Sequence, residues 1–168
     1  MFLDRGFDEV GLREIAAVAD VAVTTVFAHF PAKEALVFER DDEFRRGYVH
    51  AVTDREEGEP LIVALRDRVR VMVEHCTSGR AAELWSMIDS SPTLQQYDGA
   101  MRLRHAEALA EALATDPEVP SPVAAQVLAN FVVDSFALAR VADEPEAAID
   151  EIFMMIEAAW SAARGARR

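Results

Sequence analysis

The chain has 168 residues, of which 51% are hydrophobic, and a formal net charge of −13. This is enough apolar sequence for one large helical unit with a small appended head. A single cysteine, Cys76, excludes an intramolecular disulfide, and no spacing of Cys and His is typical of a zinc site. The sequence lacks the pattern of a signal peptide, and no stretch approaches the length expected of a membrane span. We therefore expect a cytoplasmic protein without membrane contact, metal or cofactor.

The distribution of charge restricts where nucleic acid could bind. Affinity for DNA depends on neutralisation of phosphates by Lys and Arg, so the overall charge opposes it. However, residues 21–33 contain no acid, whereas acids crowd residues 39–43 and 54–59. Any DNA-facing surface must therefore be this short window.

Helical periodicity recurs in nearly every segment and no sustained strand alternation occurs, which predicts the all-α class. After an apolar stub that ends at Gly6, a short helix is predicted from Leu12 to about Asp20. A second short helix covers residues 23–30, and Pro31 terminates it because proline cannot continue the hydrogen-bond ladder. Two short helices joined by a tight turn are typical of a helix-turn-helix head.

The body follows as a series of longer helices. One helix is expected from about Ala32 to His50, with a polar linker after it that ends at Pro60. Ser-Pro pairs at residues 91–92 and 121–122 predict helix starts, because serine caps the helix and proline favours its first position. We divide the chain into a helix-turn-helix domain, 1–45, and an effector-binding and dimerisation domain, 46–168. The remaining predicted helices cover roughly residues 61–77, 81–89, 92–114, 122–142 and 145–163.

The last two predicted helices are apolar on more than one side. Such a helix must be buried on more than one side, either in the core of the monomer or against another chain. We favour a four-helix contact with a second copy, which would make an isologous homodimer. The expected interface residues are Val127, Phe131, Leu138, Ile149, Ile152, Phe153, Ile156 and Trp160.

Three segments in the first quarter of the chain resemble a known family. The sequences FLDRGFD (2–8), LREIA (12–16) and VFAHFPAKEAL (26–36) closely resemble the head of the TetR family in order and spacing. The resemblance implies an all-helical homodimer with a helix-turn-helix head and a divergent effector-binding body. It also implies that the first helix is truncated, since family members carry most of a helix before the position of Met1.

The resemblance implies that the recognition helix lies within residues 21–30. Small side chains there let the backbone approach base edges, and threonine can contact them directly. Phe27 replaces the usual tyrosine and either packs in the core or contacts DNA, and His29 either contacts DNA or is an exposed helix residue. Lys33 matches a family lysine that donates to phosphate. The expected DNA-binding residues are Gly11, Leu12, Thr24, Thr25, Phe27, Ala28, His29 and Lys33.

Four positions depart from the family pattern. Gly11 and Ala22 replace residues with a capping hydroxyl, Asp20 replaces the turn glycine, and Phe27 lacks the hydroxyl of tyrosine. Each departure removes a phosphate donor, weakens a helix start or adds an anion near the DNA backbone. They favour an alternative function, a dimeric small-molecule-binding or interaction module with TetR architecture that has lost effective DNA binding.

The resemblance also implies an effector pocket, which we expect between the helices of residues 61–138. Asp134 interrupts an apolar run and needs a partner, such as Arg102, Arg104, Arg140 or a ligand group, unless it faces solvent or the dimer partner. The ligand is expected to be a largely apolar small molecule, and plain core packing is the alternative for each wall residue. The candidate residues are Val69, Met72, Val73, Trp85, Ile88, Tyr97, Met101, His105, Phe131 and Asp134.

An enzymatic function is not expected. The four histidines lie in separate predicted helices without ligand spacing, and the sequence contains neither a glycine-rich phosphate loop nor a nucleophile elbow. The sequence therefore predicts a ligand-responsive transcriptional regulator, acting as a repressor, that binds a palindromic double-stranded DNA operator as a homodimer. The predicted helix of residues 32–50 would join head to body and act as the lever that transmits ligand binding.

Overall fold

A computed structural model describes residues 1–165. Within this range the chain folds into nine α-helices and contains no strand, which confirms the all-α class. The apolar stub forms the first helix, and Gly6 follows it with a left-handed φ of 88°. The helices are α1 (Phe2–Arg5), α2 (Leu12–Val18), α3 (Val23–His29), α4 (Asp41–Thr53), α5 (Leu61–Thr77), α6 (Gly79–Ser90), α7 (Pro92–Leu113), α8 (Pro122–Arg140) and α9 (Pro145–Gly165).

The head consists of α2 and α3 packed on each other around a small core of Val10, Ala16 and Val26. Neither helix has a side-chain cap, because Gly11 and Ala22 occupy the capping positions. The structure thus confirms that both helices lack the side-chain cap, as predicted from the sequence. A capping hydroxyl at each position would add about 1 kcal/mol to the free energy of unfolding.

The turn between α2 and α3 contains backbone strain. Asp20 has a φ of 53°, and among residues 1–165 it is the one residue other than glycine with a positive φ. This left-handed conformation costs an L-residue about 1–2 kcal/mol, although aspartate tolerates it better than most. The turn therefore keeps the geometry that glycine favours while carrying an aspartate.

The predicted continuous helix from Ala32 to His50 is wrong. Glu34–Leu36 forms one turn of 3-10 helix, and α4 begins only at Asp41. The intervening Val37 and Phe38 are both buried in the main core, which an irregular backbone allows. Three acids, residues 41–43, occupy the first turn of α4, where the helix dipole favours negative charge.

The body is organised around α8, which packs against α5, α7 and α9. Ser91 and Ser121 cap α7 and α8 by accepting hydrogen bonds from the backbone N–H groups of Leu94 and Ala124, as predicted. Contrary to the sequence-based expectation, α8 is long and apolar enough to cross a membrane by length and composition. Its inner face is buried in the helical core, and a core helix passes the same test.

A buried ion-pair cluster joins two loops of the body. Arg55, in the loop between α4 and α5, bonds Asp116 at 2.7 Å and Glu118 at 2.5 Å in the loop between α7 and α8. The side chain of Arg55 is only 13% exposed and that of Asp116 only 6%. Glu118 also bonds Arg164 of α9 at 2.9 Å. Three separate segments are therefore tied together at this end of the bundle.

We expect Arg55→Ala to lower the free energy of unfolding by about 3 kcal/mol, because it leaves the enclosed carboxylate of Asp116 without a cation and Glu118 with Arg164 alone. Urea denaturation at a fixed protein concentration measures the change. Arg45→Ala is the control, since Arg45 pairs with the exposed Asp42 within α4 and the loss of such a pair costs about 0.5 kcal/mol. Equal effects of the two substitutions would contradict a structural role for the cluster.

We expect Asp20→Gly to raise the free energy of unfolding by about 0.5–1 kcal/mol, because glycine adopts a positive φ without steric cost. Asp8→Gly is the matched control, since Asp8 is an exposed loop aspartate without a positive φ and gains nothing. Thermal or urea unfolding of both variants tests this reading of the turn, which fails if Asp20→Gly destabilises the protein as much as Asp8→Gly does.

Candidate nucleic-acid interface and ligand cavity

The second helix of the head presents a small, uncharged face to solvent. Thr24, Thr25 and Ala28 are all exposed, while Val26 points into the head core. Gly11 is exposed at the start of α2, and Leu12 beside it is half-buried. The structure therefore exposes the three side chains that sequence reasoning placed toward base edges.

Phe27 is also on the surface. Its side chain is 51% exposed, so the predicted alternative that Phe27 packs in the core of the chain is wrong. His29, two residues on, is exposed at the end of α3. An aromatic ring and an imidazole thus border the small face, and a phenyl ring can contact a sugar or a thymine methyl but donates no hydrogen bond.

Lys33 lies beside α1 rather than extending freely into solvent. Its ammonium nitrogen is 4.2 Å from the ring centroid of Phe7 and 5.9 Å from that of Phe2, within the range of a cation–π contact. The two rings themselves are 5.3 Å apart. The aromatic pair holds the single lysine of the chain at the edge of the head.

The body contains a cavity of about 150 Å³ enclosed mainly by aromatic and aliphatic side chains. Ring centroids of Phe38, Trp85, Phe136 and Phe44 follow one another at 6.2, 5.6 and 5.8 Å in edge-to-face contacts. This geometry is the favoured one for aromatic pairs. The rings form a continuous apolar wall contributed by four different parts of the chain.

Half of the predicted pocket residues line this cavity. They are Met72, Trp85, Ile88, Met101 and His105. The other five do not, which corrects the sequence-based assignment. Val69 and Val73 are buried away from the cavity, Tyr97 stacks on Phe38 at 5.4 Å, and Phe131 and Asp134 face outward. The helical period of α5 and α8 turns these side chains to other faces.

Sequence reasoning missed the wall formed by residues 37–48. Val37, Phe38, Phe44 and Tyr48 all line the cavity, although the pocket was expected only between residues 61 and 138. The signal available was the apolar face of residues 37, 44 and 48. Burial raises the pKa of Tyr48, so its hydroxyl remains protonated and able to donate a hydrogen bond.

An aspartate–histidine pair closes one side of the cavity. Asp41, the first residue of α4, bonds the Nε2 atom of the buried His105 at 2.5 Å, and Arg104 lies 3.7 Å from its other oxygen. Burial raises the pKa of Asp41, but the hydrogen bond and charge of His105, together with Arg104, outweigh it, so the pKa lies below its usual range. The start of α4 is thereby anchored to α7.

A second set of charges lies nearby on α7 and α8. Arg102 approaches Asp98 at 3.1 Å and Asp134 at 3.2 Å. Burial raises the pKa of Asp98, and the charge of Arg102 opposes that rise. Asp134 thus finds one of its predicted partners, but its side chain is 60% exposed and is not a pocket group.

The outer face of α8 carries an exposed apolar stripe. Val127, Phe131 and Leu138 are 46–60% exposed, as the interface prediction requires. In contrast, α9 turns its predicted interface residues inward, which corrects the assignment because their spacing follows the buried side of the helix. The buried residues are Ile149, Phe153, Ile156 and Trp160, while Ile152 is half-buried and Met154 and Met155 are exposed.

Residues 1–39 match the family described as "Bacterial regulatory proteins, tetR family". Comparison with curated proteins gives no match. Among solved structures, a protein of Mesorhizobium loti MAFF303099 described as a TetR-family transcriptional regulator is 17% identical, with a TM-score of 0.56, over 96% of this chain and 90% of that one.

Two further solved structures are similar at lower TM-scores. AibR, solved in complex with isovaleryl coenzyme A and operator DNA, is 20% identical with a TM-score of 0.46, over 92% of this chain and 90% of that one. PfmR from Thermus thermophilus is 20% identical with a TM-score of 0.43, over 91% of this chain and 92% of that one. Residues 1–39 are therefore similar to the TetR-family model, and the chain as a whole shares the fold of a solved TetR-family transcriptional regulator.

Proposed function

We propose that this chain is a ligand-responsive repressor of bacterial transcription that acts in the cytoplasm and binds a palindromic operator as a homodimer. The observation that carries the proposal is the exposed, acid-free face of α3 within a helix-turn-helix head. In a dimer, two such helices would enter successive major grooves, about 34–36 Å apart. Base contacts are assigned to Thr24, Thr25 and Ala28, with Phe27 and His29 beside them.

The phosphate contact is assigned to Lys33. Its position over Phe7 keeps the ammonium close to the head surface, and a cation there would offset the repulsion from the acidic body. Gly11 and Leu12, at the start of α2, are the other expected backbone-facing positions because a helix amino terminus attracts phosphate. Asp20 opposes this attraction from the adjoining turn.

Ligand binding in the cavity could change the position of the head without a single continuous helix that connects them. A crevice between α1 and α6 shares Val37, Ala81 and Leu84 with the cavity wall. A ligand that moves these side chains therefore acts on the surface where the head rests on the body. It shifts the DNA-binding equilibrium only by its difference in affinity between the two head positions.

The proposed boundary between the domains, at residues 45 and 46, lies inside α4. This helix packs on α5 and α7, and its first residue, Asp41, bonds His105 at the cavity. The segment 37–41 thus joins the proposed DNA-binding head to the cavity wall. Any movement of this segment on ligand binding would alter the position of the head.

The dimer is proposed to form through the outer faces of α8 and α9. The exposed residues Val127, Phe131 and Leu138 form one apolar stripe, and Met155 with the half-buried Ile152 extends it on α9. An apolar stripe of this extent on adjoining helices is typical of a contact surface. A two-fold pairing would bury it as a four-helix contact.

We expect Lys33→Met to weaken binding to DNA that flanks the gene of this protein about tenfold and to lower the salt dependence by about one phosphate contact. Methionine has an unbranched side chain of similar length but no charge. Gel-shift titrations at several stated salt concentrations measure both quantities.

Arg66→Met is the matched control, because it removes the same charge from α5 in the body and leaves the affinity unchanged. Absence of any DNA shift by the wild-type protein would instead favour the alternative function, a dimeric small-molecule-binding or interaction module. The departures at Gly11, Asp20 and Ala22 are the observations that favour that alternative.

We expect Phe131→Glu to convert the dimer into a monomer, because it places a charge in the middle of an apolar contact. Sedimentation velocity measures the change in mass. Val18→Glu is the control, since Val18 is a 71% exposed apolar residue of the head and its replacement leaves the mass unchanged. A Phe131→Glu protein that stays dimeric would refute the proposed interface.

A further inference from the structure

Arg68 of α5 is a half-buried cation without an anion. Within residues 1–165 it makes no hydrogen bond and no ion pair, and its Nε atom is buried without a partner. The other half-buried arginines of the described chain all have carboxylate partners. These are Arg45, Arg55, Arg66, Arg70, Arg102 and Arg140.

The position of Arg68 depends on a glycine of the neighbouring helix. A Cβ atom at Gly47 would lie 1.8 Å from Nη2 and 2.1 Å from Cζ of Arg68, so only glycine lets the guanidinium lie on α4. Burial lowers the pKa of Arg68, although the nearby Tyr48 opposes this. A guanidinium held in a partly enclosed place loses part of its hydration, and a bound anion would offset part of that cost.

Arg68 borders a groove of about 170 Å³ between α4 and α5. Arg40, which contacts His75 at 2.7 Å, and Glu43, which pairs with Arg40, also line this groove. Phe44 and Met72 line both the groove and the aromatic cavity, as do Arg40 and His75. The groove and the cavity are therefore adjoining spaces with four lining residues in common.

The other charges around the cavity are either paired or exposed to water. Arg40 bonds Glu43 at 2.6 Å, and Asp41 bonds His105. Asp98 pairs with Arg102, and Glu39 is exposed to water. Arg68 is therefore the enclosed charge that remains uncompensated beside this cavity in the described part of the chain.

We propose that the ligand is a small organic anion, an apolar monocarboxylate, whose apolar group occupies the aromatic cavity and whose carboxylate pairs with Arg68. This inference rests on the ligand-binding role proposed above and specifies the chemical class of the ligand. A cavity of about 150 Å³ accommodates a group about the size of benzene. The planar guanidinium can bind a carboxylate through two parallel hydrogen bonds.

Calorimetric titration of the full chain at pH 7 with two acids and their neutral amides tests the proposal. The probes are phenylacetate and hexanoate, each compared with phenylacetamide and hexanamide. We expect at least one acid to bind about tenfold more tightly than its amide, as for a charge-assisted hydrogen bond. Arg68→Gln should reduce this preference to about twofold or less.

Arg66→Gln is the matched control, because it removes the same charge from the same helix at a residue paired with Asp67 outside the groove. It should retain the preference for the acid. Arg68→Lys provides a second test, since a cation without the planar fork should keep part of the preference. Circular dichroism confirms that each variant is folded.

Equal binding of acid and amide to the wild-type protein would overturn the proposal, as would a preference that survives Arg68→Gln. Failure of all four probes to bind at millimolar concentration would overturn it as well. Gel-shift measurements without any probe separate this outcome from the proposed function. If the protein binds DNA but not the acids, only the proposed regulator function is supported. If it shows an Arg68-dependent preference for the acid but does not bind DNA, only the ligand inference is supported.

Discussion

The burial of one face of α8 is the constraint on which the rest of the molecule depends. Leu128, Val132 and Phe136 pack against α5, α7 and α9, and this packing brings the walls of the body together. At about 25 cal/mol per Å², burial of side chains of this size is the main favourable contribution to the stability of such a bundle. The same helix has apolar residues on its outer side, which the chain by itself leaves in water.

The position of Phe136 on the inner face of α8 connects the packing of the core to the cavity. Its ring contacts both Phe44 and Trp85, so α4, α6 and α8 meet at one aromatic cluster. The cavity therefore has an aromatic wall that belongs to the core, while exposed residues such as Glu39 and Arg40 also line it. A ligand there would touch the elements that hold the head against the body.

Charge is distributed so that most enclosed ions are neutralised locally. The Asp41–His105 pair anchors the start of α4, and the cluster around Arg55 ties the opposite loops together. Because the charges in such pairs already have partners, the pairs fix the positions of helices and loops and do not serve as binding sites for a charged ligand. Arg68 differs, since it lies against Gly47 and no carboxylate of the described residues pairs with it, although Glu43 lines the same groove.

Several features of the fold could be predicted from the sequence alone. The helical period, the Ser-Pro starts at residues 91 and 121 and the stop at Gly6 act over four or five residues, so their local signals are strong. The head was also recognisable from its residues, including the absence of caps at Gly11 and Ala22. In contrast, the break before Asp41 was missed because the burial of Val37 and Phe38 outweighs a continuous helical pattern.

The sequence by itself determined the all-helical class, the helix-turn-helix head and the apolar excess of the last two helices, because periodicity, caps and composition are local properties. Only the tertiary structure decided which side of each helix is buried. Trp160 and Phe153 turn inward while Phe131 turns outward, and half of the predicted pocket residues face away from the cavity. The physical reason is that the rotation of a helix about its axis is set by contacts between residues distant in sequence, such as Phe44 with Phe136, and these contacts have no local signal.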